Sequence, residues 1–257
     1  MDLRGTTALI TGGGTGIGAA IATALSSEGV RLMIAGRRRE PLEKTVGEIA
    51  QNGGSARFES CDVRRPAECA SLVKRAIAEL SHIDILVNNA GVSGHGRHLA
   101  DHSPDEWDMI METNLKSAFL LSRLIIPHMI RRGGGHIVNI SSISGVRCYP
   151  GESIYGMSKH ALNAMTEYII EEYGGRGIRA VAICPGLVHT DMGLGLEPVH
   201  LDRLLTPQDI AGAVLWAVKQ RSAVRIASPI VLEPTEDPWD GRGLPMRGAS
   251  GDGSSEI

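Results

Sequence analysis

Tyr155 and Lys159, in Tyr155-Gly-Met-Ser-Lys159, are the residues of this chain best suited to chemistry. Four residues apart on a helix, they share one face, with Cβ atoms roughly 5–6 Å apart. A free tyrosine ionises near pH ~10, too high for acid–base work at neutral pH. A neighbouring ammonium favours the phenolate and lowers that value. Thirteen residues before the tyrosine, Ser142 closes the apolar run His136-Ile-Val-Asn-Ile-Ser-Ser142. A hydroxyl there is suited to holding a substrate oxygen in line, and Ser141 is the competing serine. Together the three groups suit proton transfer to or from a carbonyl or alcohol oxygen. A tyrosine–lysine pair alone is commonplace on helices, so the weight rests on the rest of the chain.

The elements that must position these groups begin at the N-terminus. Residues 6–11 read as a short buried strand, rich in apolar and β-branched side chains. Gly12-Gly-Gly-Thr-Gly-Ile-Gly18 follows directly, and 16–28 reads as a small-residue helix. Strand, glycine turn and helix form a dinucleotide-binding unit. The spacing is GxxxGxG through Gly12, Gly16 and Gly18, with a GxGxxA match through Gly14, Gly16 and Ala19. Glycines admit a pyrophosphate to the backbone, and the helix start offers free N–H groups. Gly12, Gly14, Thr15, Gly16, Ile17 and Gly18 are the cofactor candidates there.

Further strands are expected at 31–35, 56–60, 83–88, 135–141, 179–184 and 229–232. Helices are expected at 39–51, 66–80, 104–131, 155–173 and 207–220. Such alternation predicts an α/β fold of Rossmann type: a doubly wound, about seven-stranded parallel sheet with helices on both faces. Ligands then sit beyond the carboxyl ends of the strands. The glycine loop, Arg37, Asp62, Asn89, Ser142 and Pro185 all follow strand ends, so topology gathers them on one edge. Residues 1–234 read as one domain. Residues 235–257 are rich in Gly, Pro and Ser and are expected to be a mobile tail.

These motifs together resemble the short-chain dehydrogenase/reductase family, from about Gly5 to Pro234. Others stand in order: Cys61-Asp62-Val63, Asn88-Asn-Ala-Gly91, Asn114, Pro185-Gly186 and Thr190. The resemblance implies hydride transfer between a nicotinamide cofactor and a ketone, aldehyde or alcohol. It implies that Tyr155 is the acid/base, with Ser142 holding the reacting oxygen. It further implies that Lys159 tunes Tyr155 and binds the nicotinamide ribose, and that Asn114 bends its helix and holds a water. It also implies cofactor contacts at Asn89, Ala90, Gly91, Pro185, Gly186, Val188 and Thr190. Asp62 accepts from adenine with Val63 against the ring, or alternatively caps the helix before Pro66. One departure is the end of the domain, Val224-Arg-Ile-Ala-Ser-Pro-Ile-Val-Leu-Glu-Pro234, where many members carry a TGxxxxVDGG-type segment.

The end of the second strand bears on cofactor choice. NAD-selective sites carry an acidic residue there. This chain has Gly36 followed by Arg37 and Arg38, and guanidinium groups suit a 2′-phosphate, so NADP(H) is expected. A net charge of −3 gives no sign of nucleic acid or an anionic membrane as partner. The first strand starts near residue 6, leaving no room for a signal peptide, and a cytoplasmic location is expected. His95 and His98 lack a third ligand at metal spacing, so no metal is expected. Pocket candidates are Ser93, Gly94, His95, Ile143, Ser144, Arg147, Glu152, Leu187, Met192, Leu194 and Leu196, with Arg147 and Glu152 each read first as solvent-exposed. Apolar residues on 104–131 and 155–173, such as Phe119, Leu120, Leu124, Ile125 and Met129, predict a homodimer or homotetramer. Two other readings stand beside the oxidoreductase. One is a reductase of 3-oxoacyl chains on an acidic carrier protein, met by Arg131, Arg132 and Arg176. The other is a non-catalytic NADP-binding regulator.

Overall fold

The computed structural model describes residues 2–94 and 96–242. Its centre is a seven-stranded sheet of parallel strands: β1 (Thr7–Thr11), β2 (Arg31–Gly36), β3 (Ala56–Ser60), β4 (Ile85–Asn88), β5 (Gly135–Ile140), β6 (Ile178–Pro185) and β7 (Ile230–Leu232). They lie in the order β3-β2-β1-β4-β5-β6-β7. Successive strands are added in one direction from β1 to β3 and in the other from β4 to β7, and that switch point between β1 and β4 opens the crevice. Every residue of β1 and β4 is buried, whereas the edge strand β3 is only half covered. That is why the central strands read as unbroken apolar runs.

Helices cover both faces. α1 (Gly16–Ser27), α2 (Arg39–Gln51) and a C-terminal helix, Pro207–Lys219, share one apolar core with Ile10, Ile34 and Ile183. α3 (Pro66–Leu80) and two later helices share the other, around Leu9, Leu86 and Ile137. The single helix expected at 104–131 is three pieces: α4 (Pro104–Met111), a π turn at Glu112–Lys116, and α5 (Ser117–Arg131). Asn114 sits in that turn, 2% exposed. Its side-chain oxygen accepts from the Val92 N–H at 2.8 Å, and its amide donates to the Val92 carbonyl and the Ser158 hydroxyl. Binding the backbone across the crevice offsets the poor helix propensity of asparagine. α6 (Ser153–Tyr173) starts two residues before the expected position, so Tyr155 falls in its first turn. A short helix α7 (Asp191–Leu194), unforeseen in the sequence, follows β6, and Pro207–Lys219 is then α8.

Residues 235–242, the described part of the expected tail, lie against the 196–203 segment. The Val199 and His200 N–H groups donate to the Pro238 carbonyl, and the Trp239 indole donates to the Leu196 carbonyl at 3.2 Å. Arg203 bonds Glu236 and Asp240. Residues 243–257 lie outside the described residues.

Candidate active site

The glycine loop wraps the start of α1. Gly16 has φ +52°, in the left-handed region that glycine adopts freely. Gly18 has no room for a side chain: a Cβ would fall 2.2 Å from the Gly12 carbonyl oxygen. Thr15, the N-cap of α1, makes no side-chain capping bond, and the first turn carries no acidic residue. The N–H groups of that turn are thus uncapped by side chains, which fits a pyrophosphate. Asn89 secures the facing wall. Its side-chain amide donates to the Thr11 and Gly12 carbonyls, and the Asn89 and Ala90 N–H groups donate to the Thr11 hydroxyl. Thr190, at the N-cap of α7, stands close to Gly16 and closes the loop from the other side.

A second hollow, about 110 Å³, lies beyond the ends of β2 and β3, lined by Gly36, Arg37, Asp62, Val63, Ala90 and Gly91 among others. Asp62 does not cap α3, whose N-cap is Arg65. Its carboxylate takes a bidentate bond from Arg64, at 2.6 Å in the shortest contact, which holds its pKa down at about 2. Arg64, not singled out in the sequence, also lines this hollow. Arg37 and Arg38 are both exposed, but only Arg37 lies at its wall. Arg39 pairs with Glu43 at 2.7 Å and stands over Phe58.

The third part is a cavity of about 530 Å³ beyond β5, β6 and β7. Ser142, Tyr155, Pro185, Gly186, Val188 and Thr190 line it, and Ile17 joins it to the glycine loop. Tyr155 and Ser142 are each 8% exposed and Lys159 is 4% exposed. Ser142 is bonded to the Tyr155 phenol, and the Ser144 N–H donates to the Ser142 hydroxyl at 3.1 Å, fixing its rotamer. Ser141 instead donates to the Lys159 carbonyl at 3.2 Å, a bond between β5 and α6. The Lys159 ammonium donates to the Ile140 carbonyl at 2.9 Å and stands 5.6 Å from the centre of the Tyr155 ring.

The electrostatics differ from the simplest expectation. Burial pushes the Tyr155 phenol above its ordinary range, with Ser142 pulling the other way and Glu152 adding to the rise. Burial also pulls Lys159 down to about 8. Desolvation disfavours both charged forms, and it is the largest influence on each group.

Of the pocket candidates, Ile143, Ser144, Glu152, Leu187, Met192 and Leu196 line the cavity. Ser93, Gly94, Arg147 and Leu194 do not, and His95 lies outside the described residues. Arg147 is exposed, as expected, and pairs with Glu233 at 2.9 Å. Glu152 is the reverse of its expectation: it is 5% exposed and accepts from the Ser144 hydroxyl. A carboxylate in a polar-looking loop reads as solvated until its neighbours close over it. The sequence also gave no sign that Glu233 to Gly241 form part of the cavity wall. Among the described residues, no group of three His, Cys, Asp or Glu side chains is arranged to hold a metal. Nor is any helix long and apolar enough to cross a membrane.

Comparison with known proteins agrees with this geometry. The family model described as short chain dehydrogenase matches residues 6–198. An uncharacterised oxidoreductase of Staphylococcus aureus is 34% identical over 227 residues, covering 88% of this chain and 96% of that protein. A metagenomic short-chain oxidoreductase, solved in complex with NADP, superposes with a TM-score of 0.81 at 34% identity. That match covers 92% of this chain and all of the other. A tryptophan variant of actinorhodin polyketide ketoreductase, solved with NADPH, gives a TM-score of 0.84 at 30% identity over 89% of this chain and 96% of the other. With its doubly wound sheet, its glycine loop and its Ser142–Tyr155–Lys159 cluster, this chain belongs to the short-chain dehydrogenase/reductase family of oxidoreductases.

Proposed function

We propose that this protein interconverts a ketone or aldehyde and the corresponding alcohol, using NADP(H). The observation that carries the reading is the meeting of Ser142, Tyr155 and Lys159 beside a cavity that continues into the glycine loop. NADPH, when bound, supplies the hydride. In reduction Tyr155 gives its proton to the developing alkoxide, and burial keeps that proton in place beforehand. Ser142 donates to the same oxygen. The Lys159 ammonium, 5.6 Å from the phenol ring centre, favours the phenolate once the proton has left. Asn114 ties the Val92 backbone to Ser158, one residue before Lys159, and so fixes α6 against the far wall. Arg37 supports NADP(H) over NAD(H): it lines the hollow beyond β2, where Gly36 stands in place of a repelling carboxylate. Two relatives solved with NADP or NADPH point the same way.

The test is a screen of aldehydes, ketones and secondary alcohols, following NADPH absorbance. Turnover with NADPH, faster than with NADH, is expected. No turnover across the screen, or better turnover with NADH, would overturn the reading.

Reduction of carrier-bound chains is disfavoured by topology. Arg131 and Arg132 precede β5, and Arg176 precedes β6. They therefore lie at the amino edge of the sheet, opposite the cavity. For assembly, we infer at least a homodimer through α5 and α6. Leu120, Ile125 and Met129, counted above as surplus apolar surface, are consumed by the protomer's own core. Phe119 and Tyr168 remain 51% and 67% exposed beside one groove. Light scattering is expected to give a dimer or tetramer, and a clean monomer would exclude it. A cytoplasmic location is proposed on four free cysteines, as a reducing compartment allows, and cell fractionation checks it.

A further inference from the structure

The cavity beside Tyr155 is walled on one side by a strap of chain, residues 233–241, which lies beyond the residues 6–198 matched by the family model. The strap is tied to two other walls. On one, Glu233 pairs with Arg147, which also bonds the Tyr149 phenol. On the other, Arg203 reaches Glu236 at 3.0 Å and Asp240 at 2.7 Å, and the Pro238 carbonyl accepts from the Val199 and His200 N–H groups. A lone surface ion pair holds little, but a network joined by backbone bonds fixes a segment. Between these ties Pro234, Pro238 and Trp239 line the cavity.

The ties decide what that wall offers. The Trp239 indole N–H donates to the Leu196 carbonyl at 3.2 Å, so the one polar atom of the ring is engaged and its orientation set. The Tyr149 hydroxyl is bonded to Arg147, and Asp237 accepts from the Trp239 backbone N–H at 2.9 Å. What Tyr149 and Trp239 leave toward the cavity is ring, and Ile143, Leu187, Met192 and Leu196 add hydrocarbon. No lysine, arginine or histidine is among the described lining residues, so an anion meets no cationic side chain there. Glu233 and Glu236, at the strap, are already paired with arginines. Ser142 and Tyr155 serve the reacting oxygen. Recognition of the rest of the substrate then falls to apolar burial, and to aromatic rings, which favour a second ring set edge-on or offset.

We propose that the substrate is a neutral carbonyl or alcohol with an apolar, ring-bearing body, and that Trp239 selects it by packing against that ring. The proposal rests on the carbonyl–alcohol chemistry above and names its substrate class.

The experiment compares three methyl ketones with NADPH. One ends in a phenyl ring remote from the carbonyl, one in a linear alkyl chain of equal carbon number, and one in a hydroxylated chain of similar length. The wild-type kcat/KM is expected to favour the phenyl over the alkyl ketone by roughly two- to tenfold, with the hydroxylated ketone slower than the phenyl ketone by more than about tenfold. Trp239→Ala is expected to bring the phenyl-to-alkyl ratio close to unity, and Trp239→Phe, which keeps a ring, to retain the preference. The wild-type order stands as a test should the alanine variant fold poorly. In parallel, the phenyl and alkyl alcohols are titrated calorimetrically into the protein with NADP+. A hydroxylated ketone turned over as well as the phenyl ketone, or a folded Trp239→Ala with an unchanged ratio, would overturn the proposal and leave the carbonyl reaction standing. If no ketone is turned over, the reaction falls and calorimetry alone decides: a Trp239-dependent preference for the phenyl alcohol sustains recognition of the ring, and equal affinities overturn it.

Discussion

The wall of the crevice beyond β1, β2 and β4 is largely backbone. Glycines, the uncapped start of α1 and the amides of Asn89 and Ala90 form it, and each is set by residues close in sequence or in adjacent strands. The wall beyond β5, β6 and β7 is side chains. Ser142, Glu152, Tyr155, Met192 and Trp239 meet there from four separate segments, Glu152 and Tyr155 both belonging to the start of α6. The first region is suited to a group common to all dinucleotides, and at Gly12 and Gly18 it leaves no room for a Cβ. The second is built of replaceable side chains on a fixed frame, as suits a group that varies between substrates.

The sharpest way to break that comparison is at Tyr155. Tyr155→Phe keeps the ring but removes the proton, so NADPH is expected to bind with near-normal affinity while reduction falls about a thousand- to ten-thousand-fold. Stopped-flow absorbance and a fluorescence titration measure the two. Near-normal reduction by the variant would mean that the acid lies elsewhere. Gly18→Ala tests the opposite wall. Its Cβ would meet the Gly12 carbonyl oxygen at 2.2 Å and the Asn89 amide at 2.5 Å. A loss of about 1–3 kcal/mol of stability is expected, together with weaker NADPH binding and little change in bound-state chemistry. Thermal unfolding with and without NADPH reads it, and an unchanged melting temperature would show the loop to be more yielding than its contacts imply.

A gentler change sharpens the comparison at the nucleotide wall. At Gly36 a Cβ would lie 3.6 Å from Leu42, ordinary contact, so Gly36→Asp is sterically permitted. Combined with Arg37→Ala, it is expected to move the NADPH-to-NADH ratio of kcat/KM by roughly ten- to a hundredfold toward NADH, the worth of a charge-assisted hydrogen bond. An unmoved ratio would remove Arg37 from phosphate recognition.

The smallest expected effect is a pH dependence. Lys159 is pulled down to about 8, so its positive charge is present below that pH and lost above it. A bound ribose and phosphates favour the charged form. NADP+ affinity is therefore expected to hold steady below pH ~8 and to weaken above it, by at most about tenfold per unit. Lys159→Met should bind more weakly at neutral pH and lose the dependence. Calorimetry between pH 6 and 10 decides it, and a flat wild-type profile would separate Lys159 from the cofactor. The oxidation rate is expected to rise with pH because Tyr155 must release its proton, and burial moves that rise upward.

Much of this molecule was legible from residue order alone. The seven strands, the glycine loop and the spacing of Ser142, Tyr155 and Lys159 follow from local rules: period, turn chemistry and helix geometry act over a few residues. The break in the 104–131 helix was legible through Asn114, though its form as a π turn was not. What tertiary structure alone decided is desolvation and long-range company. Glu152 and Arg147 are both charged residues in one short loop, yet the fold buries the first against Ser144 and exposes the second to Glu233. Residues 235–242 have the composition of a loose tail, but their backbone groups find partners in the 196–203 segment. Burial also set the titration of Tyr155 and Lys159. The spacing of Tyr155 and Lys159 says that they are neighbours, but the direction in which each pKa moves depends on how much water the assembled walls leave to them.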